Sequence, residues 1–252
     1  MIVGKHALVT GGGSGVGRSI ALALAHAGVA VTICGRRKEP LEATVRESDR
    51  LHAVICDVTK EAEMSALFAG AEKARGPFDI VVANAGMSGS SPAHRTSLAD
   101  WQRTLDVNLT GSFLTVKPAL AGMVSRKSGR IVFIASTAGL KGYGYVAPYV
   151  AAKHGVVGLM RALATETARS GVTVNAICPG FVETDMLEES VQRIVDKTGR
   201  TVEQARASLS ATNPQGRFIR PQEVSATVLW LCGEDAGSIT GQAISLSGGE
   251  TW

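Results

Sequence analysis

Apolar and polar positions along the chain follow two alternating rhythms. Short β-branched runs, almost continuously apolar, occur at 5–10 (KHALVT), 29–34 (VAVTIC), 51–56 (LHAVIC), 79–83 (DIVVA), 130–135 (RIVFIA), 172–178 (VTVNAIC) and 243–247 (AISLS). Between them, apolar residues recur at helical spacing over roughly 15–27, 39–49, 60–75, 97–124, 148–169 and 221–233. Strands this apolar are buried on both faces, so the alternation predicts a parallel sheet with helices on each side. Ser97 and Asp100 have the spacing of a capping box, and Pro221 suits a first helical turn. No linker, repeat or low-complexity tract interrupts the pattern, which predicts a single α/β domain over residues 1–252.

The rhythm breaks once, at about 180–215, where two short amphipathic helices replace one crossover. Met186, Leu187, Val191, Ile194 and Val195 form an apolar stripe there. An insertion packed on the domain edge would read the same way. The segment follows a strand's C-terminal end, where open α/β sheets bind ligands, and this favours a lid over a substrate pocket.

Composition narrows the function classes. Net charge is +4, from 26 Lys+Arg against 22 Asp+Glu, too small and too scattered an excess to predict nucleic-acid binding. The four cysteines contain no C-x-x-C, and the five histidines contain no H-x-x-x-H, so no metal site is expected. With no secretory leader and no apolar run of membrane-spanning length, the expected location is cytoplasmic, with no membrane partner.

Residues 8–24 (LVTGGGSGVGRSIALAL) run from a strand through glycines into a helix. That is the setting for a diphosphate, with backbone N–H groups at a helix N-terminus and no Cβ to block approach. G-x-G-x-x-G fits no frame; what stands is T-G-x-x-x-G-x-G, with Gly11, Gly15 and Gly17 enclosing Ser14 and Val16. After the second strand come Gly35, Arg36 and Arg37, where an acidic residue would accept from a ribose 2′-hydroxyl. Two guanidiniums suit a 2′-phosphate instead, so NADP(H) is favoured over NAD(H). The competing reading has one arginine stacked on adenine and the other solvated.

The run 147–160 (APYVAAKHGVVGLM) places Tyr149 and Lys153 one turn apart on an otherwise apolar helix. Either the pair snorkels to the surface or it serves a buried site. Taken with "CDVT" at 56–59, "NAG" at 84–86, "VNLTG" at 107–111, "IAST" at 134–137 and "CPGFVET" at 178–184, the chain resembles the short-chain dehydrogenases/reductases over essentially its whole length. The resemblance implies a Rossmann-type sheet of seven parallel strands in the order 3-2-1-4-5-6-7. It also implies a catalytic tetrad of Asn108, Ser136, Tyr149 and Lys153.

In that tetrad Tyr149 is the acid–base group. A free phenol has a pKa of about 10, and the Lys153 ammonium, together with the charge of the oxidised nicotinamide, is expected to lower it. Lys153 also bonds the nicotinamide ribose, Ser136 donates to the substrate oxygen, and Asn108 holds a water for proton resupply. Asn108 as a simple helix breaker remains an alternative. The resemblance further implies adenine contacts from Asp57 and Val58, and a cofactor approach past Asn84, Ala85 and Gly86. Pro179 and Gly180 form a nicotinamide wall, and Thr184 fixes the carboxamide.

Motif wording is closest to the β-ketoacyl and polyketide ketoreductases, which implies interconversion of a ketone and a secondary alcohol. Candidate substrates are 3-oxoacyl thioesters, on CoA or a carrier protein, and polyketide-like ketones. After "NAG" the sequence lacks the continuation usual in carrier-protein reductases, which puts carrier docking in doubt. By position Lys141, Tyr143, Tyr145 and Phe181 would line the pocket mouth. Alternatives are an NAD-dependent dehydrogenase oxidising a small or cyclic alcohol, and a non-catalytic NADP sensor. Helix 148–169 is apolar nearly all round through its first three turns, which together with the resemblance predicts a homotetramer.

Overall fold

The protein is described here by a computed structural model covering Ile2 and residues 4–252. Seven strands form, β1 (His6–Thr10), β2 (Ala30–Gly35), β3 (Leu51–Ile55), β4 (Ile80–Ala83), β5 (Gly129–Ile134), β6 (Val172–Pro179) and β7 (Ala243–Leu246). All pair in parallel, in the order β3-β2-β1-β4-β5-β6-β7 that the family resemblance implies.

The helices are α1 (Gly15–His26), α2 (Lys38–Val45), α3 (Glu61–Arg75), α4 (Leu98–Leu105), α5 (Gly111–Arg126), α6 (Ala147–Thr167), α7 (Asp185–Thr198), α8 (Val202–Ser210) and α9 (Pro221–Leu231). Alternate strand residues feed two cores. Ala7, Val9, Val31 and Ile33 pack with Ile20 and Leu24 of α1 and Val224 and Val228 of α9. Leu8, Val81, Ile131 and Phe133 pack with α3, α5 and α6 through Phe68, Val116 and Met160. Along β1, β4, β5 and β6 both faces of the sheet are therefore dry, as continuous apolar strands require, while the edge strands β3 and β7 are only partly buried.

Two helical readings change. The helix expected over 39–49 ends at Val45, short of the polar run Glu47–Ser48–Asp49. The single helix expected over 97–124 is interrupted by a π-helical turn at Asp106–Thr110, between α4 and α5. Ser97 does cap α4, accepting from Asp100 N at 3.0 Å. However, Asp100 returns its carboxylate to the Ser97 hydroxyl at 2.7 Å, and Ser97's backbone N–H is not its partner.

The two helices of the 180–215 segment are α7 and α8. Leu187, Val191, Ala205 and Phe218 bury a small separate core between them, with Ile194 and Val195 packed against it. Met186 falls off this stripe and is exposed. The segment is bound to the loop after β4, since Lys197 Nζ donates to Ser90 O at 3.0 Å. Among the described residues no helix is long and apolar enough to cross a membrane.

Candidate active site

The C-terminal ends of β1 and β4 are joined by one hydroxyl. Thr10 Oγ1 accepts from the backbone N–H of Asn84 at 3.0 Å and of Ala85 at 3.1 Å, while Asn84 Nδ2 donates to Thr10 O at 2.8 Å. The glycine turn follows directly. Gly11 and Gly15 sit at φ +68° and +51°, left-handed values that favour glycine. A Cβ on Gly17 would run into the Gly11 carbonyl, so α1 can approach the turn only without one.

Ser14 takes the N-cap position of α1, but its side chain makes no capping bond. The first N–H groups of the helix are thus left for an external anion. Val16 packs against the core shared by α1 and α9. Thr184, the N-cap of α7, closes over this turn, its methyl 3.1 Å from where a Cβ on Gly15 would stand. These features fit a dinucleotide diphosphate.

Arg36 and Arg37 are both exposed at the end of β2, and Arg37 is the N-cap of α2. Arg36 lies close enough to Asp57, just beyond β3, to act on its carboxyl. Burial pushes Asp57 up, but hydrogen bonds from Thr59 and the charges of Arg36 and Lys60 outweigh it and hold the group below the usual range. Asp57 Oδ1 accepts from Thr59 N and Thr59 Oγ1, which leaves the other oxygen for a ligand. Val58 is 7% exposed and packs on α5, 2.8 Å from a Cβ placed on Gly111, so it offers a ring only an edge.

Tyr149 and Lys153 lie in the first two turns of α6. Lys153 is only 4% exposed, and its Nζ donates to Ile134 O at 2.8 Å, at the end of β5. The same nitrogen stands 5.6 Å from the centre of the Tyr149 ring. Burial lowers the Lys153 pKa to about 8. From the protein's own groups Tyr149 receives no lowering by Lys153, so the expected lowering rests on the charge of the oxidised nicotinamide. Burial pushes the phenol up, a hydrogen bond with Ser136 opposes this, and Lys153 is turned toward the Ile134 carbonyl. The Cys178 thiol behind the pair is itself pushed up to about 11 by burial.

Ser136 caps a short turn at Thr137–Gly139, its Oγ accepting from Ala138 N at 3.1 Å. Asn108 sits fully buried in the π turn. Its Nδ2 donates to Met87 O and Thr104 O, and its Oδ1 accepts from Met87 N. Both donors are spent, which leaves one lone pair on Oδ1 for a water. Gly86 lies between the two polar groups. A Cβ there would stand 2.9 Å from Asn108 Oδ1 and 3.8 Å from Lys153 Nζ. Asn108 therefore both breaks the helix and reaches the site.

The fold brings the four expected catalytic residues to one end of the sheet, beside the glycine turn and the Pro179–Gly180 end of β6. Of the expected mouth residues, Tyr145 is exposed at φ +68° and Phe181 packs against the small core of α7 and α8. Tyr143 and Lys141 both reach Glu250 in the C-terminal turn. Thr10 and Glu250 were not singled out from the sequence. Thr10 carried a signal, as the residue that opens the T-G-x-x-x-G-x-G turn; Glu250 carried none.

Known proteins match this arrangement along the whole chain. The family model for short chain dehydrogenases matches residues 5–194. A Streptomyces coelicolor protein assigned as a ketoacyl reductase is 41% identical over 249 residues, covering 96% of this chain and 95% of its own length. The D-beta-hydroxybutyrate dehydrogenase of Cupriavidus necator is 37% identical, covering 99% and 98%. The crystal structure of a single-residue variant of the actinorhodin polyketide ketoreductase with NADPH superposes with a TM-score of 0.94 at 40% identity, covering 98% of this chain and 97% of that one. The chain belongs to the short-chain dehydrogenase family and is an oxidoreductase acting on CH–OH and ketone groups.

Proposed function

We propose that the chain is an NADP(H)-dependent ketoreductase working through Tyr149, Lys153, Ser136 and Asn108. The observation that carries this reading is the half-buried Tyr149 with the buried Lys153 one turn on, beside Ser136 and at the same sheet end as the glycine cradle. When bound, the reduced nicotinamide supplies a hydride to the carbonyl carbon. Tyr149 gives its proton to the carbonyl oxygen, and burial keeps the phenol protonated at neutral pH, which suits reduction. Ser136 donates a hydrogen bond to the same oxygen as charge develops. Lys153 has three protons. One is held by Ile134 O, leaving two for ribose hydroxyls and the phenol. The free lone pair of Asn108 Oδ1 receives the water that resupplies the proton.

Arg36, with Arg37 beside it, takes the adenosine 2′-phosphate, a preference supported by the NADPH in the similar ketoreductase. Gly11, Ser14, Gly15, Val16 and Gly17 cradle the diphosphate, and Asp57 and Val58 edge the adenine. Asn84, Ala85 and Gly86 border the ribose, and Pro179, Gly180 and Thr184 border the nicotinamide. The substrate class favoured by the ketoacyl-reductase relatives is a 3-oxoacyl thioester or polyketide-like ketone.

The similarity to D-beta-hydroxybutyrate dehydrogenase supports a second reading, oxidation of a small secondary alcohol by the same residues. Turnover with NADPH and NADH against bicyclic ketones, 3-oxoacyl-CoA esters and 3-hydroxybutyrate tests both. The first reading expects NADPH-dependent ketone reduction to dominate. Dominant NAD-dependent oxidation of 3-hydroxybutyrate would replace it with the second.

The outer face of α6 exposes Gly158 and Ala162, small enough for close helix pairing in a homotetramer, flanked by His154 and Arg161. Sedimentation should give a tetramer or at least a dimer; an active monomer would contradict this. Four free, buried thiols suit a cytoplasmic single-domain enzyme.

A further inference from the structure

Glu250 lies outside the tetrad, in the turn that follows β7. Its side chain is 2% exposed, yet its two oxygens are treated unequally. Oε1 takes both the Lys141 ammonium at 2.9 Å and the Tyr143 hydroxyl at 2.6 Å. Oε2 is buried without a hydrogen-bond partner and lies 3.3 Å from where a Cβ on Gly180 would stand. A buried carboxylate with one orphan oxygen is a poor device for stability alone, because an apolar side chain could fill the space without desolvating a charge.

Three segments that border the reaction meet at this residue. The Tyr143 hydroxyl also bonds Thr137 Oγ1 at 2.6 Å, and Thr137 follows Ser136 directly. Gly180 closes the end of β6. The turn that carries Glu250 seats the root of the lid as well. A Cβ on Gly248, at φ +63°, would collide with Asn213, and one on Gly249 would touch Pro214 at 3.6 Å. The far end of the 137–146 loop is pinned separately, where Ser91 N donates to Tyr145 O at 2.8 Å.

We propose that Glu250 is a positioning residue for the reaction, clamping Lys141 and Tyr143 to the C-terminal turn so that the substrate-side wall next to Ser136 is set before the ketone arrives. The clamp, made through Oε1, touches neither the glycine cradle nor the Lys153–Ile134 bond, and Oε2, which lies beside Gly180, takes no part in it. Loosening it therefore weakens ketone binding and leaves cofactor binding intact. This rests on the ketoreductase reading of the same site.

The test compares wild type with Glu250→Gln, Lys141→Met and the double variant. It measures KM and kcat for 1-tetralone, NADPH affinity by fluorescence titration, and amide exchange of segment 137–146. Glu250→Gln keeps the shape and an acceptor for Tyr143 but ends the ion pair. It should raise KM about tenfold with kcat within about threefold, and the double variant should be no worse, because the two side chains act as one unit. NADPH affinity should hold, and segment 137–146 should exchange faster. Unchanged KM and unchanged exchange in Glu250→Gln would overturn the clamp, as would an equal loss of NADPH affinity. If wild type turns over no ketone, the reading of the site fails, while the exchange comparison still decides whether Glu250 holds the loop.

Discussion

Lys153→Met should make the protein inactive and more stable. The ammonium is 4% exposed, and burial lowers its pKa from the ordinary 10.5 to about 8. At about 1.36 kcal/mol per pH unit, burying the charge costs the native state about 3 kcal/mol near neutrality. Methionine keeps the stem without the charge. It also gives up the bond to Ile134 O, and an unsatisfied buried carbonyl costs about 1–2 kcal/mol. The variant should therefore gain about 1–2 kcal/mol at pH 7. The sign reverses with alkalinity. Because the folded pKa lies below the unfolded one, the unfolded chain holds the extra proton between the two values, and wild-type stability rises with pH across that window. By about pH 9.5 wild type should have gained about 2 kcal/mol on the variant. Tyr149, pushed up by burial, stays protonated over this range and does not blur the comparison. Urea unfolding of both proteins at the two pH values measures the difference. A variant less stable at pH 7, with the two stabilities running parallel to pH 9.5, would refute the desolvated lysine.

Arg36→Ala should weaken NADPH binding about tenfold or more while hardly affecting NADH, with a smaller effect of the same sign for Arg37→Ala. Fluorescence titration checks this, and tighter NADH than NADPH binding by wild type would sink it. His6 stacks on Phe78 with both ring nitrogens bonded, to Gly76 O and Thr32 Oγ1, and burial lowers its pKa. Its folded pKa lies below the unfolded 6.5, so stability is lost as pH falls from there. His6→Gln should flatten that slope in acid-unfolding curves, and an unchanged slope would remove His6 as its source.

The parallel sheet and the glycine turn were legible because each rests on local pattern, apolar runs alternating with helical spacing and glycines before a helix. The strand order and the tetrad came with the resemblance to the short-chain dehydrogenases/reductases, since neither Asn108 nor Ser136 carries a local signal of its own. The π turn at Asn108 was not legible, because apolar spacing continues through Asp106–Thr110 and hides a change of hydrogen-bond register. The direction in which Lys153 points was hidden in the same way. Spacing places Lys153 one turn away, but only the fold reveals that its ammonium is held by the Ile134 carbonyl. Glu250 was invisible for a different reason. Its partner Tyr143 is 107 residues distant, and nothing local to "SGGETW" says what it meets.

Tyr149→Phe tests the central claim most directly, because it removes one oxygen and leaves the ring packed in α6. The account predicts that ketone reduction by NADPH falls to background, while NADPH affinity, measured on the same preparation, stays within about threefold, since the phenol is the proton donor and not a principal cofactor ligand. Substantial ketone reduction by the purified variant would contradict it.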